Sequence, residues 1–202
     1  LRFTQRTIAL FVCAFATAAA CAQATATASQ PLALSAFAGG TGSYIGLGGG
    51  KNIDIAVGLD LRIKSFHRFL PSVEVRGYKP VDNGGVAAEE NAAAGLRVER
   101  AFSKAPAVHP YADFLFGRGK IVYQGSGYLT PDGSLIYINT VSNVLSPGAG
   151  VDFDVSHHLS LKLDAQFQRY TAPVTTSGKI WAKPVTIGVV YRFDFNHHGQ
   201  AR

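Results

Sequence analysis

The sequence predicts an all-β fold, a closed eight-stranded antiparallel up-and-down transmembrane β-barrel. Three observations predict it. Apolar and polar residues alternate with period two through most of the chain after residue 31. The longer runs reach about eleven residues, and at ~3.3 Å per residue and a ~40° tilt these span roughly 28 Å, the apolar height of a membrane barrel. The breaks between runs are short at one end and long at the other, as in barrels that cross a membrane.

The first segment, residues 1–22, reads LRFTQRTIALFVCAFATAAACA. Arg2 and Arg6 precede an apolar stretch from Ile8 to Ala20, and Ala20 and Ala22 put small residues before Gln23. This is the layout of a cleaved export signal, with a cut before Gln23 or two residues later. Cys21 as a lipidated first residue is the weaker reading, because Ala18-Ala19-Ala20 lacks the larger aliphatic residue such a site carries. Residues 23–31 form a short linker, 32–195 the barrel and 196–202 a periplasmic tail.

Eight strands are expected in order. Leu32–Gly40 is the weakest. Asn52–Arg62 is the clearest, with Ile53, Ile55, Val57, Leu59 and Leu61 on one face and Asp54, Ala56, Gly58, Asp60 and Arg62 on the other. A helix would scatter Asp54 and Asp60 among the aliphatics, whereas a strand separates them. Ser72–Tyr78, Ala92–Phe102, Tyr111–Arg118, Leu145–Val155, Leu159–Tyr170 and Val185–Phe195 repeat the pattern. Lys64–Pro71, Ser103–Val108 and Ser156–His158 are the short links. Thr41–Lys51, Lys79–Asn91, Gly119–Val144 and Thr171–Pro184 are the long ones, which places both termini on the periplasmic side. Within the longest, Lys120–Tyr123 and Ser134–Ile138 are expected to form a hairpin around Pro131-Asp132-Gly133-Ser134, which has turn chemistry.

Charge sorts onto one face. Asp54, Asp60, Arg62, Glu74, Arg76, Arg97, Glu99, Asp113, Asp152, Asp154, Lys162, Asp164, Arg192 and Asp194 share it, and the other face is Val, Ile, Leu, Phe and Ala. In a soluble barrel the apolar face turns inward; in a membrane barrel the alternation is inside out. The expectation is therefore a plug-free, salt-bridged interior, filled rather than conducting. Gly58, Gly95, Gly117, Gly148, Gly150 and Gly188 are expected to make room there for the charged side chains. Trp181, Tyr170, Tyr44 and Tyr78, near strand ends, suit an interfacial belt.

Composition closes off other classes. Hydrophobic residues reach 47% and charged ones 16%, which excludes disorder. Both cysteines, Cys13 and Cys21, lie in the first segment, so the body has no disulfide, Cys-based metal site or Cys nucleophile. A net charge of +6 without a basic run carries no nucleic-acid signature. No apolar run is long enough for a helical span. His67, His109, His157, His158, His197 and His198 are expected in periplasmic turns or the tail, without metal-ligand spacing. The glycine runs lack a phosphate-binding context. No cofactor is implied.

The stretch from Gly148 to Phe167 resembles the penultimate hairpin of OmpA-like eight-stranded outer-membrane barrels, and Val185–Phe195 resembles their final strand. In that resemblance Ile187, Val189, Tyr191, Phe193 and Phe195 form the alternating, aromatic-ended signal read by the barrel assembly machinery. The seven residues after Phe195 depart from it. His158-Leu159-Ser160 also resembles the His-x-Ser arrangement of barrel lipid A deacylases. Alternation, however, puts His158 and Ser160 on the inward face at the periplasmic end, away from such a substrate. The resemblance implies a monomeric, non-enzymatic outer-membrane anchor of Gram-negative type. Its partners would be outer-membrane lipids and the assembly machinery. The alternatives are a narrow porin-like channel and a soluble secreted barrel binding a small apolar ligand, with a lipid-modifying enzyme last.

Overall fold

The computed structural model describes residues 33–63, 67–82 and 85–193. The export segment with Ala20, Ala22 and Gln23, the tail with His197 and His198, and Asp194 and Phe195 lie outside the described residues. The strands are β1 (Ala33–Tyr44), β2 (Lys51–Arg62), β3 (Phe69–Asp82), β4 (Ala87–Arg100), β5 (Val108–Tyr123), β6 (Tyr128–Leu129), β7 (Ile136–Tyr137), β8 (Asn139–Asp154), β9 (Leu159–Gln166), β10 (Gln168–Thr171) and β11 (Lys179–Phe193).

β9 and β10 are one stave, so the wall has eight antiparallel staves, and β11 closes on β1. Closure runs from Leu34 opposite Phe193 to Tyr44 opposite Lys183. The break at Phe167 has a local cause. Pro147 on β8 stands opposite Phe167 by the register of that pair, and Pro184 on β11 stands opposite Gln166. Neither proline has an N–H, so the ladder thins on both sides of Phe167. The Phe167 N–H still donates to the Pro147 carbonyl at 2.9 Å.

Through the middle of the wall the period-two rule holds. Ile53, Ile55, Val57, Phe114, Phe116, Leu161, Leu163, Ile187 and Val189 face outward and are exposed, while their polar neighbours are buried inside. The expected closed eight-stranded barrel is the observed one.

The staves run further toward the long-loop end than the sequence pattern suggests. β1 continues through Thr41–Tyr44, β4 starts at Ala87, β5 runs on to Tyr123, β8 starts at Asn139 and β11 starts at Lys179. The four expected long loops are correspondingly shorter. At this end the alternation inverts. Lys179 and Lys183 point out while Ile180 and Ala182 point in, and Arg118 points out while Ile121 and Tyr123 point in. That is the pattern of a β-sheet in water, and it marks where the wall leaves the apolar band.

The interior at the loop end therefore holds an apolar cluster, where the sequence pattern shows only loops. Ile45, Leu47, Ile121, Tyr123, Val144, Tyr170, Val174 and Ile180 form a buried cluster, with Val86, Tyr128 and Tyr137 packed on it. The loop after β1 reaches in because Gly46, Gly48 and Gly49 take left-handed conformations at φ 71°, 54° and 75°. They let Ile45 and Leu47 drop into the mouth. Tyr170 and Tyr78 are buried inside rather than in an interfacial belt; Tyr44 and Trp181 do face outward.

Lys120–Tyr123 belongs to β5, and the loop hairpin is β6 with β7, pairing Tyr128 with Tyr137 and Leu129 with Ile136. Its tip is the expected turn. Gly133 sits at φ 73°, and the Asp132 carboxylate accepts a hydrogen bond from the Ser134 hydroxyl at 2.7 Å. Hydrogen bonds from Thr130 and Ser134 hold the Asp132 carboxyl down at about 2.

The apolar band gives a direct test. Val57 is 51% and Leu163 45% exposed on the outer wall. Arg at either position is expected to destabilise the barrel by roughly 2–4 kcal/mol if it lies near a bilayer midplane, and by less toward either rim. Equilibrium unfolding in lipid vesicles measures the difference.

Candidate functional site

The interior below the apolar plug is where the chemistry-bearing side chains gather. β3 places Glu74, Arg76 and Tyr78 inward in succession, as period two requires. The Arg76 guanidinium is the centre. Its Nε donates to Glu74 at 2.6 Å. Nη1 donates to Asp164 at 2.5 Å and to the Tyr78 hydroxyl at 3.0 Å. Nη2 lies 3.4 Å from Asp113. The carboxylates are held in turn. Gln166 donates to both Asp113 oxygens at 3.0 Å, and Tyr111 donates to Asp164 at 2.7 Å. Ser146 fixes Gln166 by donating to its carbonyl at 2.9 Å.

Toward the short-turn end a second group forms. Arg97 lies 2.6 Å from Asp152, 3.4 Å from Glu99 and 3.5 Å from Asp60. Its guanidinium stacks over the Tyr111 ring at 3.7 Å from the centroid. Ser72 donates to Asp60 at 3.0 Å. The Lys162 ammonium sits 3.7 Å from Asp152 and over the rings of Phe37 and Tyr111, at 4.6 Å and 4.2 Å. At the turn-end mouth Arg62 meets Glu99 at 3.5 Å and Arg192 meets Asp154 at 2.7 Å.

His109 is not a turn residue. It is the second residue of β5 and lies between two carboxylates, Nδ1 2.9 Å from Glu99 and Nε2 2.9 Å from Asp154. The sequence pattern starts the strand at Tyr111, two residues too late to include it. His158 is likewise displaced from its expected inward face. It is exposed in the turn and its ring stacks with the outward Tyr191 at 6.2 Å, whereas Ser160 is buried and donates to Asp154 at 2.8 Å. The two side chains have separate partners on opposite sides of the wall.

Asp54 is brought to the interior but not into the ion-pair groups. It is 1% exposed, and neither carboxylate oxygen meets a hydrogen-bond donor among the described residues. It shares the upper interior with Glu89, which accepts hydrogen bonds from Ser43 and from Asn52, the latter at 2.5 Å. Asn91 donates to Gln168 at 2.9 Å and to the Tyr170 hydroxyl at 2.6 Å beside it. Glu89 was missed because residues 79–91 read as a loop. Extending the inward parity of Asn91, Ala93, Gly95 and Arg97 by one step would have found it.

The inward glycines serve aromatic and amide groups more than ions. A Cβ at Gly58 would collide with the Phe37 ring, one at Gly150 with the Tyr111 ring and one at Gly148 with the Gln166 amide. At Gly95, Gly117 and Gly188 the obstacle is the backbone of the neighbouring strand. The glycines thus set the positions of the two rings that flank Lys162.

Such a network gains little net energy over an apolar core of the same volume, because each ion must leave water. Breaking it is another matter, since the partners remain as uncompensated charge. Arg76→Met is expected to strand Glu74, Asp113 and Asp164. The loss should be about 3–5 kcal/mol if the site is dry and less if water enters. Urea unfolding monitored by heat-modifiable gel mobility reads it.

Residues 7–193 match the outer membrane protein beta-barrel domain. No curated protein matches the sequence. Among solved structures it is similar to Neisserial surface protein A, 16% identical, with a TM-score of 0.51 over 80% of this chain and 97% of that one. Ail, the attachment invasion locus protein of Yersinia pestis, is 12% identical, with a TM-score of 0.48 over 81% of this chain and 100% of that one. The N-terminal β-barrel domain of Pseudomonas aeruginosa OprF is 13% identical, with a TM-score of 0.44 over 79% and 97%. At these identities the likeness concerns the fold alone. The family match covers most of the chain, and the chain belongs to the outer membrane protein beta-barrel domain family, as an eight-stranded barrel of the outer membrane.

Proposed function

We propose that this barrel is a closed structural anchor that presents its loop end at the cell surface, and that it neither conducts ions nor catalyses a reaction. One observation carries the reading: the interior is filled twice over. Ion pairs around Arg76 and Arg97 occupy the middle and the turn end, and the apolar cluster of Ile45, Leu47, Ile121 and Tyr170 fills the loop end. An ion crossing the barrel would have to displace both. The separate partners of His158 and Ser160 support a non-catalytic role for that pair.

In this reading residues 1–22 direct export and are removed, the short turns face the periplasm and the long loops face outward. The protein works as a monomer surrounded by outer-membrane lipid and needs no cofactor. The outward row Ile187, Val189, Tyr191 and Phe193 on β11 is the part of the expected assembly signal within the described residues. Its last two rings meet edge to face at 5.1 Å.

Planar-bilayer recordings test the closed interior. The purified monomer is expected to give no steady conductance. Steady ion-selective current that changes with Arg97→Gln or Asp152→Asn would show a pore. Assembly is tested separately, in cells. Replacing Tyr191 and Phe193 together with Ser should leave most of the protein unfolded in the periplasm, read as loss of the heat-modifiable band from the membrane fraction. Undiminished insertion would remove β11 from the assembly role.

A further inference from the structure

The outer wall at the loop end carries a feature that anchoring in hydrocarbon does not use. Lys51, Lys79, Arg118, Lys120, Arg169 and Lys183 all lie on outward positions just beyond the apolar band, against the outward carboxylate Glu90 and the strand-end Asp82. Tyr44 and Trp181 face out at the same height, Trp181 opposite Arg169 and Tyr44 opposite both Lys51 and Lys183. Aromatic side chains at that height mark the headgroup level of a bilayer.

Part of this belt is shaped. A groove of about 320 Å³ is lined by the outward Glu90, Ala92, Arg118 and Lys120, by Gly119 and Val141, and by the inward-facing Tyr78 and Asn91. The register explains it. Ala92 stands opposite Arg118, and Glu90 opposite Lys120, so a methyl group lies between long side chains. Gly119 contributes only backbone. Glu90 is held from the far side by Lys79 at 2.5 Å, which leaves Arg118 and Lys120 as the cations beside the small floor. One step further into the apolar band the same two strands present Ala94 opposite Phe116 and Leu96 opposite Phe114, all facing outward. A basic groove thus opens directly onto an apolar strip.

We propose that this groove seats the phosphate-bearing headgroup of an anionic lipid in the leaflet on the loop side. Arg118 and Lys120 take the phosphate oxygens, and the acyl chains lie along Phe114 and Phe116. Arginine supplies a planar fork for phosphate and lysine a point charge. The apolar strip below distinguishes a lipid from a soluble anion, which would have no use for it. The assignment rests on the barrel spanning the bilayer with this end at a headgroup layer.

The experiment uses the full barrel in vesicles of equal phosphatidylcholine and phosphatidylglycerol, with lipid adducts read by native mass spectrometry. The native protein is expected to retain phosphatidylglycerol over phosphatidylcholine. Arg118→Gln with Lys120→Gln should lower that retention roughly thirtyfold, about what two charges near a lipid surface contribute. Lys51→Gln with Lys183→Gln removes the same charge outside the groove and should leave retention unchanged. Equal loss in both double variants would mean diffuse surface charge and overturn the groove, as would no loss in either. Displacement of the adduct by excess inorganic phosphate would assign the groove to a soluble anion and overturn the lipid. Each sample is first checked for heat-modifiable mobility. A native protein without it would indict the membrane-barrel reading itself, whereas lost retention with mobility intact reports on the groove alone.

Discussion

Closure of β11 on β1 is the constraint on which everything else depends. Hydrocarbon offers no hydrogen-bond partner to an exposed strand edge, so the wall must meet itself. The pairing from Leu34–Phe193 to Tyr44–Lys183 does this and leaves the barrel without a free edge. Once the ring is closed, period two divides every stave between two environments. One face must satisfy lipid, and the other must fill a narrow lumen. Arg76 with its three carboxylates, and Phe37 and Tyr111 set against glycines, are solutions to the second requirement.

The lumen is not uniform, and its change of character follows the bilayer. Where the outer wall is apolar the interior is ionic. Where the outer wall turns basic the ion pairs give way to an apolar cluster beside the uncharged hydrogen-bonding groups around Glu89. Ile180 between Lys179 and Lys183 shows the switch within one strand. A stave in water needs a hydrophobic interior to hold together. A stave in lipid is held by its backbone ladder, and its interior is free to be polar. The barrel is a membrane protein over its lower part and resembles a small soluble β-domain at its top.

Legibility in the sequence tracks this division. The middle of the barrel could be read because Asp54 and Asp60 alternate with Ile and Leu too cleanly for any helix, and the inward charges followed from parity. Which ions pair could not be read, since Arg76 meets Asp164 across the lumen and sequence spacing carries no lumen geometry. The upper interior was lost for a different reason. Its inward residues, such as Ile121, Val144 and Tyr170, are apolar where the pattern demanded polar ones, so the extended staves passed for loops. His109 was lost by two residues of boundary, and Glu89 by lying in a segment of Ala, Glu and Asn with little strand character.

The buried cluster under the loops has a consequence for what the surface presents. Ile45 and Leu47 tether one loop from beneath, and Val174 tethers another, while Tyr128 and Tyr137 root the β6–β7 hairpin on the same cluster. The loops are thus fastened at their bases, and only tips such as Asp132 and Gly133 stand clear. A partner landing on such a rim meets a shape already set and forfeits little ordering entropy. The tips can also change in sequence without disturbing what holds them, so recognition can diversify while the staves below stay fixed.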